Sequence, residues 1–423
     1  MMLSIKKYRR VSWLFVMLLL SGASASAQQQ QTVTIDSVLQ RINESNPMLQ
    51  VYDARSKAMD AYAEGANSWM APMVGGGVFM SPYPGAEIME MRDKGMIMLS
   101  AEQDIPNPAK LRAKEKYLQS RAAIENAGRE VTFNQLRAQA KTAYYSWLVL
   151  ENKMDVLKEN GRIMEYMLKL ARIRYPYSQG KLGSIYEAEA RLGEVENMKL
   201  MTANQIVQQN VQLNMLMNLP KELRFNIDTL LAIPGPVELA ADTTFLGQAR
   251  SDVRQLDRTI ASMQLNVEME RLERKPDFRV RFEHMYPRDN MMPQQFTAMG
   301  MVSIPIAPWS SKMYKANTKA MSLEIEAMQR EREAILNEGQ GMVRNMALEL
   351  NTMREQTENY QARILPALKK NYDVTMLAYE QNTAQLPEVI DAWEALNMAQ
   401  MEYLNRLQEL YLMVVNYEKE VEK

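Results

Sequence analysis

Between Ala109 and Tyr175 the chain carries no proline, and Leu136, Ala140, Ala143, Trp147, Leu150, Met154, Leu157, Met164, Leu168 and Ala171 follow one another mostly at spacings of four and three. Apolar positions repeating this way build the seam of a coiled coil. The run predicts one helix on the order of 100 Å long, at 1.5 Å per residue. A second run, Ser310 to Leu386, is interrupted only by Pro366 and repeats the seam through Leu336, Val343, Met346, Leu350, Met353, Tyr360, Ile364 and Ala367. Short breaks follow at 175–184 (YPYSQGKLGS) and 379–387 (YEQNTAQLP), each succeeded by another helical stretch. Each rod is therefore expected to fold back as a helical hairpin.

Ahead of each rod the period changes from helical to two. In PDFRVRFEHMY (276–286), Phe278, Val280, Phe282 and Tyr286 alternate with Arg279, Arg281 and Glu283. The segment 296–304 alternates Phe296, Ala298, Gly300, Val302 and Ile304 against Thr297, Met299, Met301 and Ser303. An apolar face and a polar face over about ten residues suit a membrane-barrel strand, although one such strand fits a soluble hairpin equally well. The first-half counterparts are 72–80, blurred by Gly75-Gly76-Gly77, and 96–105. Four strands cannot close a barrel that spans a bilayer, so closure requires several copies of the chain.

Tyr175, Leu182 and Ala188 correspond to Tyr379, Leu386 and Ala392 at one constant offset, and Ile105-Pro106 corresponds to Ile304-Pro305 at nearly the same one. The expectation is a duplication. A first repeat would occupy 28–235, with a strand hairpin at about 70–105 and a helix hairpin at 108–219. A second would occupy 236–423, with a strand hairpin at about 276–305 and a helix hairpin at 309–420.

Composition narrows the function. The 423 residues include only 17 Gly and 17 Pro, which suits long uninterrupted elements. Fifty basic against 51 acidic residues give a formal net charge of -1, so nothing draws the chain to nucleic acid. The start has a basic segment (Lys6, Lys7, Arg9, Arg10), an apolar run from Val11 to Leu20 and the small-residue site Ala25-Ser26-Ala27, the pattern of a cleaved secretory signal over 1–27. There is no cysteine, hence no disulfide, thiolate metal site or lipidated N-terminal Cys. No later segment is apolar enough to span a bilayer as a helix, so any crossing must use strands.

A twofold repeat, two strand hairpins and two long helix hairpins together resemble the TolC-like outer membrane efflux family. The resemblance rests further on QDIPNPAKLRAK (103–114), ILPAL (364–368) and AYEQNTAQLPEVIDAWEALNMAQMEYL (378–404). It implies a mainly α protein with membrane β: a homotrimer whose twelve strands form a β-barrel pore in the outer membrane, continued by an α-helical coiled-coil barrel through the periplasm. It also implies an exit duct of a tripartite efflux system, passive and without cofactor, opened by a periplasmic adaptor (membrane fusion protein) and an inner membrane pump of the resistance-nodulation-division type. The other non-enzyme readings are a periplasmic coiled-coil adaptor and a protein secretion duct. An adaptor needs no alternating strands.

Catalytic patterns are missing. One histidine, His284, on the apolar parity of its strand, and no cysteine leave no zinc constellation, and there is no P-loop, dinucleotide fingerprint or GxSxG elbow. Two sets of residues carry the candidate chemistry. In the family the acidic positions matching Glu388 and Asp391 lie at the periplasmic tip and face the narrowing tunnel. Threefold symmetry would turn them into two carboxylate rings favouring cations. Glu187 is a further candidate for that mouth. As a purely local feature, acidic groups after Leu386-Pro387 also suit a helix N-terminus. The second set is methionine. There are 36, most of them expected as gap-fillers on the rods. By parity, however, Met96, Met98, Met285, Met299 and Met301 share a face with Arg279, Arg281 and Glu102. Thioethers select Cu(I), and with it Ag(I), over hard cations, so a soft-metal cargo stands beside simple packing.

Overall fold

The computed structural model describes residues 32–88, 90, 94–177, 181–237, 242–288, 292–305 and 307–422. The signal-like segment 1–27 and Met89, Met91 and Met291 lie outside the described residues. In chain order the elements are β1 (Thr32–Val33), α1 (Ile35–Ser45), α2 (Pro47–Glu64), β2 (Met73–Phe79), β3 (Met96–Ile105), α3 (Pro108–Arg174), α4 (Leu182–Leu216), β4 (Asn226–Ile227), α5 (Thr243–Ala249), α6 (Ser251–Arg271), β5 (Asp277–Pro287), β6 (Gln295–Ser303), α7 (Pro308–Asn359), a π turn (Tyr360–Ile364), α8 (Leu365–Glu380) and α9 (Leu386–Val421). Among the described residues no helix is long and apolar enough to cross a membrane.

α3 is a single helix of 67 residues. It begins at Pro108, whose missing N–H costs nothing in a first turn, with Asn107 Oδ1 accepting from the Ala109 amide at 3.0 Å. It ends at Tyr175–Tyr177, where Pro176 stops propagation. The seam of α3 is buried as the spacing predicts: Ala140, Ala143, Trp147, Leu157, Met164 and Ala171 are all at or below 5% exposure.

The second rod departs from its expected seam past Leu350. Pro366 has no N–H and its ring clashes with the preceding turn, and the helix accommodates it by widening into the π turn just ahead. The extra residue rotates the apolar stripe. Ala367, expected on the seam, is exposed, and the buried positions become Tyr372, Met376 and Tyr379.

The chain divides into two compact units, each drawn from several segments. The first unites the described parts of 1–44, 139–236 and 352–415. Its largest core joins α3 (Leu157, Met164, Met167), α4 (Ile185, Ala188, Val195), α8 (Tyr372, Met376) and α9 (Val389, Ile390, Trp393). Within that core Asn160 is 2% exposed, accepting from the Trp393 indole at 2.8 Å and donating to Asn397 at 3.0 Å and Gln400 at 3.3 Å. Satisfied buried amides fix the axial register of α9 against α3, because a slide of one turn would strand them. Elsewhere in this unit β1 pairs in parallel with β4, and Tyr411 binds both the carbonyl and the amide of Ala232.

The second unit comprises the described parts of 45–138, 237–351 and 416–423. It holds an antiparallel sheet in the order β2-β3-β5-β6. Gly95, at φ 78°, closes the β2-β3 hairpin, where a Cβ would meet the Ser81 Cα at 2.7 Å. At the opposite end of the sheet Lys110 bridges Asp277 at 2.7 Å and Glu273 at 3.0 Å. Asn107 donates to the Pro276 carbonyl at 3.2 Å. These bonds fasten the start of α3 to the start of β5.

Candidate functional site

The register of the sheet sorts its side chains by face. On one face lie Val74, Val78, Ile97, Leu99, Phe278, Val280, Phe282, Tyr286, Phe296 and Val302, every one exposed. His284 also belongs to this face, opposite Leu99 and Phe296. Trp69, just before β2, and Trp309, at the start of α7, are exposed at the end of the sheet where the helices begin. A continuous exposed apolar sheet face flanked by tryptophan is the composition of a surface meant for lipid. Strands β2 and β6 each leave one edge unpaired within the chain.

The other face is polar and arranged in rows across the strands. Nearest the helices Asp277 faces Ser303; next, Asp104, Arg279 and Met301 stand opposite one another, followed by Met73, Glu102, Arg281 and Met299. Then come Gly75, Ser100, Glu283 and Thr297, and after them Gly77, Met98, Met285 and Gln295. A last row sets Phe79, Met96 and Pro287 together. Ion pairs link the charged rows: Arg279 reaches Glu102 at 2.8 Å and Asp104 at 2.5 Å. Arg281 reaches Glu283 at 2.6 Å and Glu102 at 3.8 Å. Three carboxylates against two guanidiniums leave one formal negative charge in these rows, Asp277 beyond them being paired with Lys110. All five methionines singled out from the sequence lie on it. Met96 and Met285 are buried, Met98 is half-buried, and Met299 and Met301 are exposed.

In the helical unit the two hairpin turns carry the other candidate residues. Glu388 occupies the first turn of α9 and its carboxylate accepts from the Gln385 amide at 3.3 Å, the reach-back half of a capping box. Asp391, one turn further, is exposed and makes no cap, and Glu187 is exposed near the start of α4. Beside them sits a cluster that the sequence reading did not isolate. Arg174, the last residue of α3, donates to the carbonyls of Tyr379 at 2.6 Å and Glu380 at 2.9 Å, while Tyr166 donates to the Glu380 carboxylate at 3.0 Å. Arg191 links Glu394 at 2.8 Å, and Arg172 pairs with Glu189. The available signal for Arg174 was its place at a helix C-terminus, where a cation suits the dipole. For Asn160 it was a polar residue three positions past Leu157 on an otherwise apolar seam.

Among the described residues no group of three His, Cys, Asp or Glu side chains is placed to hold a metal ion.

No model of a known protein family matches the sequence, and no curated protein matches it. Solved structures do. The chain superposes on the outer-membrane channel OprN with a TM-score of 0.72 at 14% identity, covering 92% of this chain and 89% of that one. CusC, a protein described by its transmembrane channel formation, gives 0.71 at 12% identity over 92% and 91%. The open state of the Neisseria gonorrhoeae MtrE outer membrane channel gives 0.71 at 15% identity over 92% and 88%. The fold is therefore the one these outer membrane channels share, in agreement with the TolC-like resemblance carried by the sequence.

Proposed function

We propose that the chain is the outer membrane exit duct of a tripartite efflux system. Three copies would join the free edges of β2 and β6 into a barrel of twelve strands, four from each copy. The exposed apolar face would meet lipid and the charged face would line the lumen. The helices would continue the duct through the periplasm of a Gram-negative cell, in two repeats spanning 28–235 and 236–423, after removal of a signal segment over 1–27. One observation carries the reading: an antiparallel sheet with an exposed apolar face, a charged opposite face and two unpaired edges. A soluble adaptor has no use for that surface, and nothing in the strands requires a protein cargo. The duct performs no catalysis and needs no cofactor. Its partners would be a periplasmic adaptor and an inner membrane pump of the resistance-nodulation-division type.

The hairpin turns would form the periplasmic mouth. Arg174 and Tyr166 would hold α8 against α3 in the resting state, and Glu388, Asp391 and Glu187 would give the mouth its negative field. A cargo of soft metal ions is favoured by Met96, Met98, Met285, Met299 and Met301 on the face that would line the lumen, against a duct for organic compounds that treats them as packing.

The test is direct. The mature protein should purify from outer membranes as a detergent-dependent trimer and open cation-preferring channels in a planar bilayer. A monomer that stays soluble without detergent would sink the duct. Growth of a deletion strain in copper or silver, compared with growth in dyes, detergents and antibiotics, separates the cargo classes.

A further inference from the structure

We propose that Met96, Met98 and Met285 form a thioether site for a soft monovalent cation, Ag(I) or Cu(I), at the outer end of the sheet. The site rests on the reading of the polar face as the lumen.

Three observations converge there. Met98 and Met285 are direct cross-strand partners, and Met96 follows Met98 on the same face of β3. Opposed residues hold their Cβ atoms about 5 Å apart and diagonal ones about 7 to 8 Å, so flexible thioether arms can bring three sulfurs to one point. Burial agrees with this arrangement: Met96 is 7% and Met285 9% exposed, whereas Met98 is half-buried and keeps an opening to the face. Last, among the described residues the paired rows that carry this trio hold no cation. The neighbours are Gly77, Gln295, Phe79 and Pro287.

Met299 and Met301 differ in that respect. They stand opposite Arg281 and Arg279, whose ion pairs with Glu102, Asp104 and Glu283 occupy that part of the face. Of the six methionines on the face, Met73, opposite Glu102, shares the ion-paired rows with Met299 and Met301, and only the outer three stand together apart from them. The order along the sheet then makes physical sense: rows with a net negative charge come first from the helix side and neutral thioether rows come after. A soft cation would be drawn in by the carboxylates, lose part of its hydration to sulfur, and leave from a site too neutral to trap it.

The experiment uses the assembled protein in detergent, titrated with silver nitrate in chloride-free buffer with potassium nitrate as the background salt. Wild type should bind Ag(I) saturably. Met98→Leu and Met285→Leu keep the volume and remove the sulfur, and each should weaken binding by about tenfold or more. Met299→Leu and Met301→Leu should leave it unchanged. Absence of saturable binding, unchanged binding in the first two variants, or equal weakening in all four would overturn the site. Should Met285→Leu fail to assemble, Met98→Leu decides, since its side chain is only half-buried. Bilayer conductance of the same samples keeps this question apart from the duct itself: a conducting channel that ignores Ag(I) removes the site alone, whereas a trimer that never conducts removes the duct.

Discussion

Arg174 holds Tyr379 by backbone and by ring: its guanidinium donates to the Tyr379 carbonyl at 2.6 Å and lies 4.3 Å from the centre of the tyrosine ring. The same group reaches the Glu380 carbonyl at 2.9 Å, so one side chain ties down two successive carbonyls where α8 ends, beside the Asn382 amide that also donates to Tyr379. Burial of the phenol pushes the Tyr379 pKa up, and the Arg174 charge offsets only part of that rise.

Removing this contact tests the mouth. Arg174→Ala removes both bonds to α8 and the ring contact with Tyr379, and should loosen α8 from α3, raising single-channel conductance and lowering thermal stability. Arg174→Lys should restore only part of both, because an ammonium lacks the planar fork that serves two carbonyls and a ring together. Conductance unchanged in Arg174→Ala would mean that the contact is structural and gates nothing.

Glu388 and Asp391 should separate in their effects. Glu388→Ala removes the reach-back bond to Gln385 and should cost a few tenths to about 1 kcal/mol of stability. Asp391 caps nothing, so Asp391→Ala should leave the melting curve in place while lowering cation selectivity and block by multivalent cations. Bilayer reversal potentials in a salt gradient read the second effect, and a selectivity unmoved by Asp391→Ala would remove it from the mouth.

The buried amide group offers a register test. Asn160→Leu strands the Trp393 indole N–H and the Asn397 and Gln400 side chains, and should destabilise by about 1–3 kcal/mol. The double variant Asn160→Leu with Trp393→Phe should recover part of that loss, because the orphaned donor is gone. Thermal denaturation of the two proteins checks the order.

Acid should act through the junction of α5 and α6. Arg250 grips Asp252 with two bonds, 3.0 and 2.7 Å, and Glu420 with a third at 2.6 Å. Burial alone would raise the Asp252 carboxyl, but the bonds from Arg250 outweigh it and hold the group below the usual carboxylate range. A depressed pKa stabilises the fold fully above the unfolded value of about 3.9, and that part is lost as pH falls through the lower folded value. Melting temperature followed from about pH 6 to about pH 2 should therefore drop more steeply in wild type than in Asp252→Asn. Parallel acid limbs would show that the pair contributes nothing.

The sequence made the elements legible because their periods are local. A heptad seam such as Leu136 to Ala171 needs no partner to be recognised, and the alternation in 276–286 assigns each side chain a face once the strand is granted. Parity placed Met98, Met285, Arg279 and Glu102 on one face correctly, since the side-chain period of a strand is two whatever it pairs with. The rotated seam past Leu350 was less accessible. Pro366 signalled a disturbance, but whether a helix kinks, ends or widens at proline depends on how its neighbours pack.

What the sequence alone determined, then, is the long helices with their turns and the alternating strands with their faces, together with the fold resemblance that these carry. Tertiary structure decided which side chains meet. Arg174 on Tyr379 and Asn160 on Trp393 are pairs more than two hundred residues apart, and nothing periodic links their positions. Likewise the cross-strand register, not composition, sets Met285 against Met98 and leaves Met299 and Met301 facing arginine. Local pattern fixes the direction in which a side chain points, and only the packed chain fixes what stands there.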